Sequence, residues 1–173
     1  MSKVLTVENW NRHDTQSAHL VLVDRQGVER TPTGDGWVER ILKPQLNGTI
    51  PGEVAEMFEV ARGILVYGWF YYPLFTAGAE KMYFVIETAV SDRCSQLRAP
   101  KGRKTFKQKI DWMFEKHHLT EAEFKRLDAS RSLRNMAAHR EKGCTYDPSW
   151  AVDGVYVAAG IINELFPTGD ENL

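Results

Sequence analysis

A short polar string in the last third of the chain holds residue types that phosphate chemistry uses. It reads Arg-Ser-Leu-Arg-Asn-Met-Ala-Ala-His-Arg over residues 131–140. A neutral histidine can take up a proton and return it near neutral pH. An arginine can hold a phosphate through two parallel hydrogen bonds and stabilise charge that develops on it. Asn135 could orient the imidazole of His139 or donate to an oxygen. The string therefore predicts acid–base chemistry at a phosphate group.

Cleavage of RNA by its own 2′-hydroxyl is the reaction that suits this set, and it requires no metal ion. DNA lacks that hydroxyl and would be spared. We predict catalytic roles for Arg134, Asn135 and His139, and RNA contacts for Arg131 and Arg140. No cofactor is expected for this chemistry.

The spacing within the string constrains how the site is assembled. Arg131, Asn135 and His139 are four residues apart in succession, so they would line one helix face. Arg134 precedes His139 by five residues, which places the two about 140° apart around a straight helix. Three solutions remain open: the helix ends between them, Arg134 reaches around it, or a second copy of the chain completes the site. The two alanines before His139 would permit another backbone to approach closely.

The same residues resemble the motif of the HEPN superfamily (higher eukaryote and prokaryote nucleotide-binding). Its ribonuclease members carry an arginine, four to six further residues and then a histidine, and Arg134 and His139 match this pattern. Asn135 matches the polar residue that usually follows the arginine. The resemblance extends over about residues 51–166. It implies an all-α bundle, a homodimer with the motif at its interface and metal-independent RNA cleavage. Family members often act as toxins or in antiviral defence, which leaves room for an inhibitory partner protein.

Two other functions are compatible with the string. A non-catalytic HEPN-like module could bind nucleic acid, a nucleotide or a partner protein through the same polar face, since a fold does not determine a function. A structural helical adaptor without a ligand is the third alternative. A second pair at the family's spacing, Arg12 and His19, is discounted because it precedes a predicted strand and no amide follows the arginine.

The charge distribution favours a polyanion as ligand. The formal net charge is −1, but residues 98–142 hold thirteen Lys and Arg against six Asp and Glu. A basic block on an otherwise acidic chain is typical of a polyanion site, although a solvated loop and helix start would look the same. The predicted RNA-binding residues in this block are Lys101, Arg103, Lys104 and Lys107.

Helical periodicity dominates the chain after residue 50 and predicts an up-and-down, all-α bundle over residues 51–167. Residues 1–50 read as an extension with a short hairpin and a short helix over residues 37–46, and residues 168–173 as a flexible tail. A capping box from Thr120 to Glu123 and an Asp147-Pro148 pair predict two helix starts. The last helix is expected to bury one face, consisting of Val152, Val155, Tyr156, Ala159 and Ile162.

Two glutamates, Glu80 and Glu87, lie two turns apart on one predicted helix face. They could pair with Arg134 or Arg131 and orient it, or they could be ordinary solvated carboxylates.

The compartment and the remaining chemistry follow from what the chain lacks. No apolar run approaches the roughly 20 residues of a membrane span, and the first residues contain no apolar signal region. Cys94 and Cys144 cannot form a disulfide framework, and no paired metal-ligand spacing accompanies them. We therefore expect a cytoplasmic protein without a membrane partner and without a metal site.

Overall fold

The computed structural model describes residues 3–17, 20–23, 27, 29–138 and 147–168. Over these residues the chain forms an all-α helical bundle, as predicted, and a two-residue strand pair precedes it. The strands are β1 (Leu22–Val23) and β2 (Glu29–Arg30), paired antiparallel. The helices are α1 (Gly34–Leu42), α2 (Gly52–Tyr67), α3 (Leu74–Gln96), α4 (Phe106–Glu115), α5 (Glu121–Ala138) and α6 (Pro148–Leu165).

Side-chain caps determine where four of the helices begin. Thr33 caps α1 by accepting from the Gly36 amide, and Asp147 caps α6 by accepting from the Ser149 amide. Thr105 and Thr120 start α4 and α5, each in a capping box with the residue three positions on. The predicted starts at residues 120 and 147 are confirmed.

Helix α1 begins and ends earlier than the predicted 37–46 range. Its N-cap at Thr33 starts it at Gly34, and it stops at Leu42 because Pro44 has no N–H with which to continue the helical hydrogen bonds. The carbonyls of Leu42 and Pro44 instead accept hydrogen bonds from the buried Arg62 guanidinium at 3.1 and 3.0 Å.

Helix α3 forms the centre of the bundle, where it contacts α2, α4, α5 and α6. Phe75, Val85, Ala89 and Val90 of α3 are fully buried. The predicted buried face of α6 is confirmed except at Tyr156. That residue lies one position past Val155, which rotates it about 100° out of the core stripe. It is 39% exposed, and its hydroxyl donates to the Arg40 carbonyl.

The segment before α2 packs against the helices. Trp37 is fully buried, and its indole N–H donates to the Leu65 carbonyl at 3.1 Å. His13 stacks on Trp69 with 4.1 Å between ring centroids, and buried Asp14 accepts from the Tyr72 amide at 2.9 Å. The division of the chain at residue 50 stays a prediction.

None of the helices in the described residues is long and apolar enough to cross a bilayer. Cys94 is a buried free thiol, and burial raises its pKa. Cys144 and the predicted 168–173 tail beyond residue 168 lie outside the described residues.

Candidate functional site

An open polar cavity of about 340 Å³ lies where α5 meets α3 and the start of α4. Arg131, Arg134 and Asn135 of the predicted site all line it, and so does Lys107 from the basic block. The complete lining consists of Tyr83, Glu87, Thr105, Phe106, Lys107, Ser130, Arg131, Arg134 and Asn135. Glu87, a predicted orienting carboxylate, lines it too, so the structure brings five of the predicted residues into one cavity.

The N-terminal end of α4 lies at the edge of this cavity. Thr105 lines it and also caps α4, accepting from the Gln108 amide at 3.2 Å. The Gln108 side chain accepts in return from the Thr105 amide at 3.1 Å. Because the first amides of a helix carry partial positive charge, this end favours anions. The cap also fixes Lys107, which sits in the first turn of α4.

Two carboxylates hold the cations on one side of the cavity. Asp128 accepts from Arg131 Nε at 2.9 Å and lies 3.5 Å from Lys107 Nζ. Asp111 lies 2.8 Å from the same ammonium group. The hydrogen bond from Arg131 is the main cause that lowers the pKa of Asp128, and the bond to Asp111 is the main cause that raises the pKa of Lys107. Asp128 and Lys107 are therefore both charged at neutral pH.

Arg134 is held differently. Its side chain is exposed, and its guanidinium lies 5.8 Å from the ring centroid of Phe84, a geometry that allows cation–π attraction. Arg134 Nη1 also lies 3.5 Å from Asn135 Oδ1, at the outer limit of a hydrogen bond. Within the described part of the chain no carboxylate forms an ion pair with Arg134, so its charge is available to a ligand.

The two glutamates differ in position. Glu87 is half-buried and lines the cavity, whereas Glu80 is exposed and does not. Among described residues, Arg131 takes its ion pair from Asp128 rather than from either glutamate. An orienting role for Glu80 or Glu87 stays a prediction.

His139 and Arg140 lie outside the described residues, so their placement beside the cavity stays a prediction. Helix α5 is described as far as Ala138, so the chain is helical from Arg134 to the residue before His139. The three solutions for bringing Arg134 and His139 to one phosphate all depend on His139, so all three stay predictions.

The remaining basic residues lie in the loop between α3 and α4. Lys101 and Lys104 are exposed, Arg103 lies 3.8 Å from Glu115, and none of the three lines the cavity. Within the predicted basic set, only Lys107 joins the arginines of α5.

An apolar groove of about 350 Å³ lies beside the polar cavity, between α3, α5 and α6. It shares Tyr83 and Ser130 with that cavity, and Trp150 and Val157 on its α6 side are more than half exposed. The complete lining consists of Ala79, Met82, Tyr83, Ile86, Arg126, Ala129, Ser130, Leu133, Trp150, Asp153, Gly154 and Val157.

Sequence reasoning did not identify several lining or supporting residues, among them Tyr83, Thr105, Phe106, Asp128 and Ser130. Two of them could have been identified from their spacing in the sequence. Asp128 stands three residues before Arg131, a spacing that brings opposite charges together on a helix. Thr105 begins a Thr-x-x-Gln capping box, which marks the start of α4. Tyr83, Phe106 and Ser130 depend on how α3, α4 and α5 cross.

Across the described residues, no three His, Cys, Asp or Glu side chains cluster in a way that could hold a metal ion. Comparison of the chain with protein-family models, curated proteins and solved structures finds no match.

Proposed function

We propose that this protein is a metal-independent endoribonuclease of the HEPN type. One observation carries the proposal: Arg134 and Asn135 share an open cavity with two further cations, Lys107 and Arg131. A cavity of about 340 Å³ with several convergent cationic donors suits a nucleotide unit of an RNA strand.

The proposed reaction is an internal transfer at phosphorus. His139 accepts the proton of the ribose 2′-hydroxyl, and the 2′-oxygen forms a bond to the adjacent phosphorus. The bond from phosphorus to the 5′-oxygen of the next nucleotide breaks, and that oxygen takes up a proton. The products are a 2′,3′-cyclic phosphate and a 5′-hydroxyl, so no water is consumed in this step. Arg134 stabilises the negative charge that develops on the phosphoryl oxygens.

A homodimer is part of the proposal. On a straight helix Arg134 and His139 would lie about 140° apart, poorly placed to serve one phosphate from the same chain. The apolar groove supports the dimer because it adjoins the polar cavity and leaves Trp150 and Val157 exposed. A two-fold axis at this face would bring two motifs together.

The alternative is a non-catalytic module that binds RNA or a nucleotide. The observation that favours it is that Lys107, Arg131 and Arg134 all line the cavity. Phosphate binding requires only these cations, whereas cleavage also requires the histidine.

The test is incubation of the purified protein with total RNA in the presence of EDTA. We expect the wild type to cleave RNA and His139→Ala to be inactive. His117→Asn is the matched control, because it removes another histidine at a position with φ of 58°, which asparagine tolerates. Binding without cleavage by the wild type would favour the non-catalytic module. Equal cleavage by wild type and His139→Ala would reject the proposed role of the histidine.

A further inference from the structure

Asp128 occupies an unusual position for an acidic residue beside a cationic cavity. It contacts both Arg131 and Lys107, which line the cavity, but it does not line the cavity itself. The two cations come from different helices, Lys107 from the first turn of α4 and Arg131 from the middle of α5. Asp128 therefore joins the two helices at the point where their cations face the same space.

The contacts leave donors free on the cavity side. Asp128 accepts from Nε of Arg131, and the terminal nitrogens of that guanidinium have no hydrogen bond to another described residue. The Lys107 ammonium has three donors; the carboxylates of Asp111 and Asp128 account for two, and the ammonium also lies 4.8 Å from the ring centroid of Phe124. An incoming phosphate could therefore use the terminal nitrogens of Arg131 as donors, while Lys107 adds its positive charge at the cavity lining.

The guanidinium groups of Arg131 and Arg134 cannot contact the same phosphate equally well. Three residues along a helix correspond to about 4.5 Å of rise and about 60° of rotation. The pair of Lys107 and Arg131 and the separate Arg134 thus suit two different phosphates of one strand.

We propose that Asp128 holds Lys107 and Arg131 together as a preformed subsite for the RNA phosphate next to the one that is cleaved at Arg134. This inference rests on the proposed function, because the ligand is taken to be an RNA strand. Asp128 is a positioning residue: it restricts two long, flexible side chains before the ligand arrives, which lowers the entropy lost on binding.

The effect of removing Asp128 distinguishes positioning from simple electrostatics. Loss of a negative charge beside a polyanion site should strengthen anion binding if charge alone matters. Loss of a positioning contact should weaken it. The two accounts predict opposite signs for Asp128→Asn, a substitution that keeps the side chain's shape.

The experiment measures binding of a fluorescent, fully 2′-O-methyl RNA oligonucleotide, which cannot be cleaved through a 2′-hydroxyl. Glu121→Gln is the matched control, because it removes the same charge from α5 and breaks only an exposed ion pair with Lys125, and neither residue lines the cavity. We expect Asp128→Asn to weaken binding by about fivefold to tenfold, as for the loss of preorganisation of one or two long side chains. We expect Glu121→Gln to leave binding unchanged or to strengthen it.

The salt dependence separates this effect from a general loss of structure. Losing one phosphate contact should reduce the slope of log K against log salt concentration by about 0.7 for a single strand. Asp128→Asn should show this reduction, and Arg131→Ala should add little further loss in the Asp128→Asn background. A thermal melt of each variant confirms that it is folded.

Equal or tighter binding by Asp128→Asn would overturn the inference. The proposed function would then still stand or fall on EDTA-resistant cleavage of ordinary RNA by the wild type. A wild type that does not bind the oligonucleotide would also overturn the inference, and the cleavage assay would again judge the reaction separately.

Discussion

Arg134 differs from the other described arginines of α5 in what surrounds its charge. Arg126 pairs with Glu164, and Arg131 pairs with Asp128. Arg134 instead lies over the Phe84 ring, and no carboxylate of the described residues pairs with it. An arginine whose charge is uncompensated at the cavity suits the stabilisation of charge that appears only during the reaction. The surroundings of Arg134 therefore support the catalytic role proposed for it better than those of Arg131 would.

The substitution Arg134→Ala should reduce RNA cleavage by about 100-fold or more, the typical effect of losing one donor to a developing oxyanion. Its free energy of unfolding should change by less than about 0.5 kcal/mol, since the side chain is exposed. Lys125→Ala is the control on the same helix and should retain activity, because Lys125 lines neither the cavity nor the apolar groove and loses only an exposed ion pair with Glu121. Cleavage rates and urea denaturation measure the two effects. A large loss of stability with full activity per folded molecule would make Arg134 a structural residue.

His13 is a second residue whose environment has a measurable consequence. Burial is the main cause that lowers its pKa, with Lys3 acting in the same direction and Asp14 opposing. Because the folded-state pKa lies below the unfolded value of about 6.5, the unfolded chain binds the proton more readily. Stability is therefore complete above that pH and declines as the pH falls through it.

We expect the free energy of unfolding to fall between pH 7.5 and pH 5.5, and to fall less in His13→Gln. Denaturant unfolding at several pH values provides the measurement. His118→Gln is a suitable control, because that histidine is exposed and its ring is tilted against Trp112, with 5.6 Å between the ring centroids. An identical pH dependence in wild type and His13→Gln would show that His13 does not contribute.

At the scale of elements, the cavity depends on where α4 begins. The Thr105 capping box fixes the first turn of α4, and that turn carries Phe106 and Lys107 into the cavity. The corresponding box at Thr120 fixes the start of α5, which lies away from the cavity lining. The two boxes are chemically alike and differ in what they position.

This difference predicts a separation of stability from binding. Thr105→Ala and Thr120→Ala should each lower the free energy of unfolding by about 1 kcal/mol, the usual cost of losing an N-cap. Only Thr105→Ala should also weaken binding of an uncleavable RNA, because it loosens Lys107. Thermal melts and fluorescence titrations measure the two properties. Equal RNA affinity in both variants would show that the α4 start does not organise the cavity.

The helices could be predicted from the sequence because the residues that define each one lie close together along the chain. The caps at Thr120 and Asp147 and the core stripe of α6 depend on spacing within a few residues. Tyr156 was misassigned because an aromatic residue beside a core stripe can instead lie flat on the surface and direct its hydroxyl to a backbone carbonyl. The contributions of Tyr83, Phe106 and Ser130 could not be predicted, since they arise from the crossing of three helices distant in sequence.

At the scale of the whole molecule, the basic segment does not act as one surface. Lys107 faces the cavity, while Arg103 turns toward Glu115 and the exposed Lys101 and Lys104 remain in the loop. Counting charges along the chain identifies the segment but cannot show which of its side chains converge.

A composite site in a homodimer makes a prediction about mixed variants. His139→Ala and Arg134→Ala should each be inactive alone. When the two are mixed, heterodimers should recover part of the activity, because one composite site contains both intact residues. Light scattering should report a dimer for each protein. No recovery on mixing, or a monomer that still cleaves RNA, would reject the composite site.

The most direct test of the account is cleavage of a synthetic RNA and its fully 2′-O-methyl counterpart by the purified protein in EDTA. A HEPN-type ribonuclease should cut only the unmodified RNA and leave products that end in a 2′,3′-cyclic phosphate and a 5′-hydroxyl. Both RNAs should bind. Cleavage of the 2′-O-methyl RNA would contradict the use of the 2′-hydroxyl. Binding of both RNAs with cleavage of neither would contradict the assignment of ribonuclease activity.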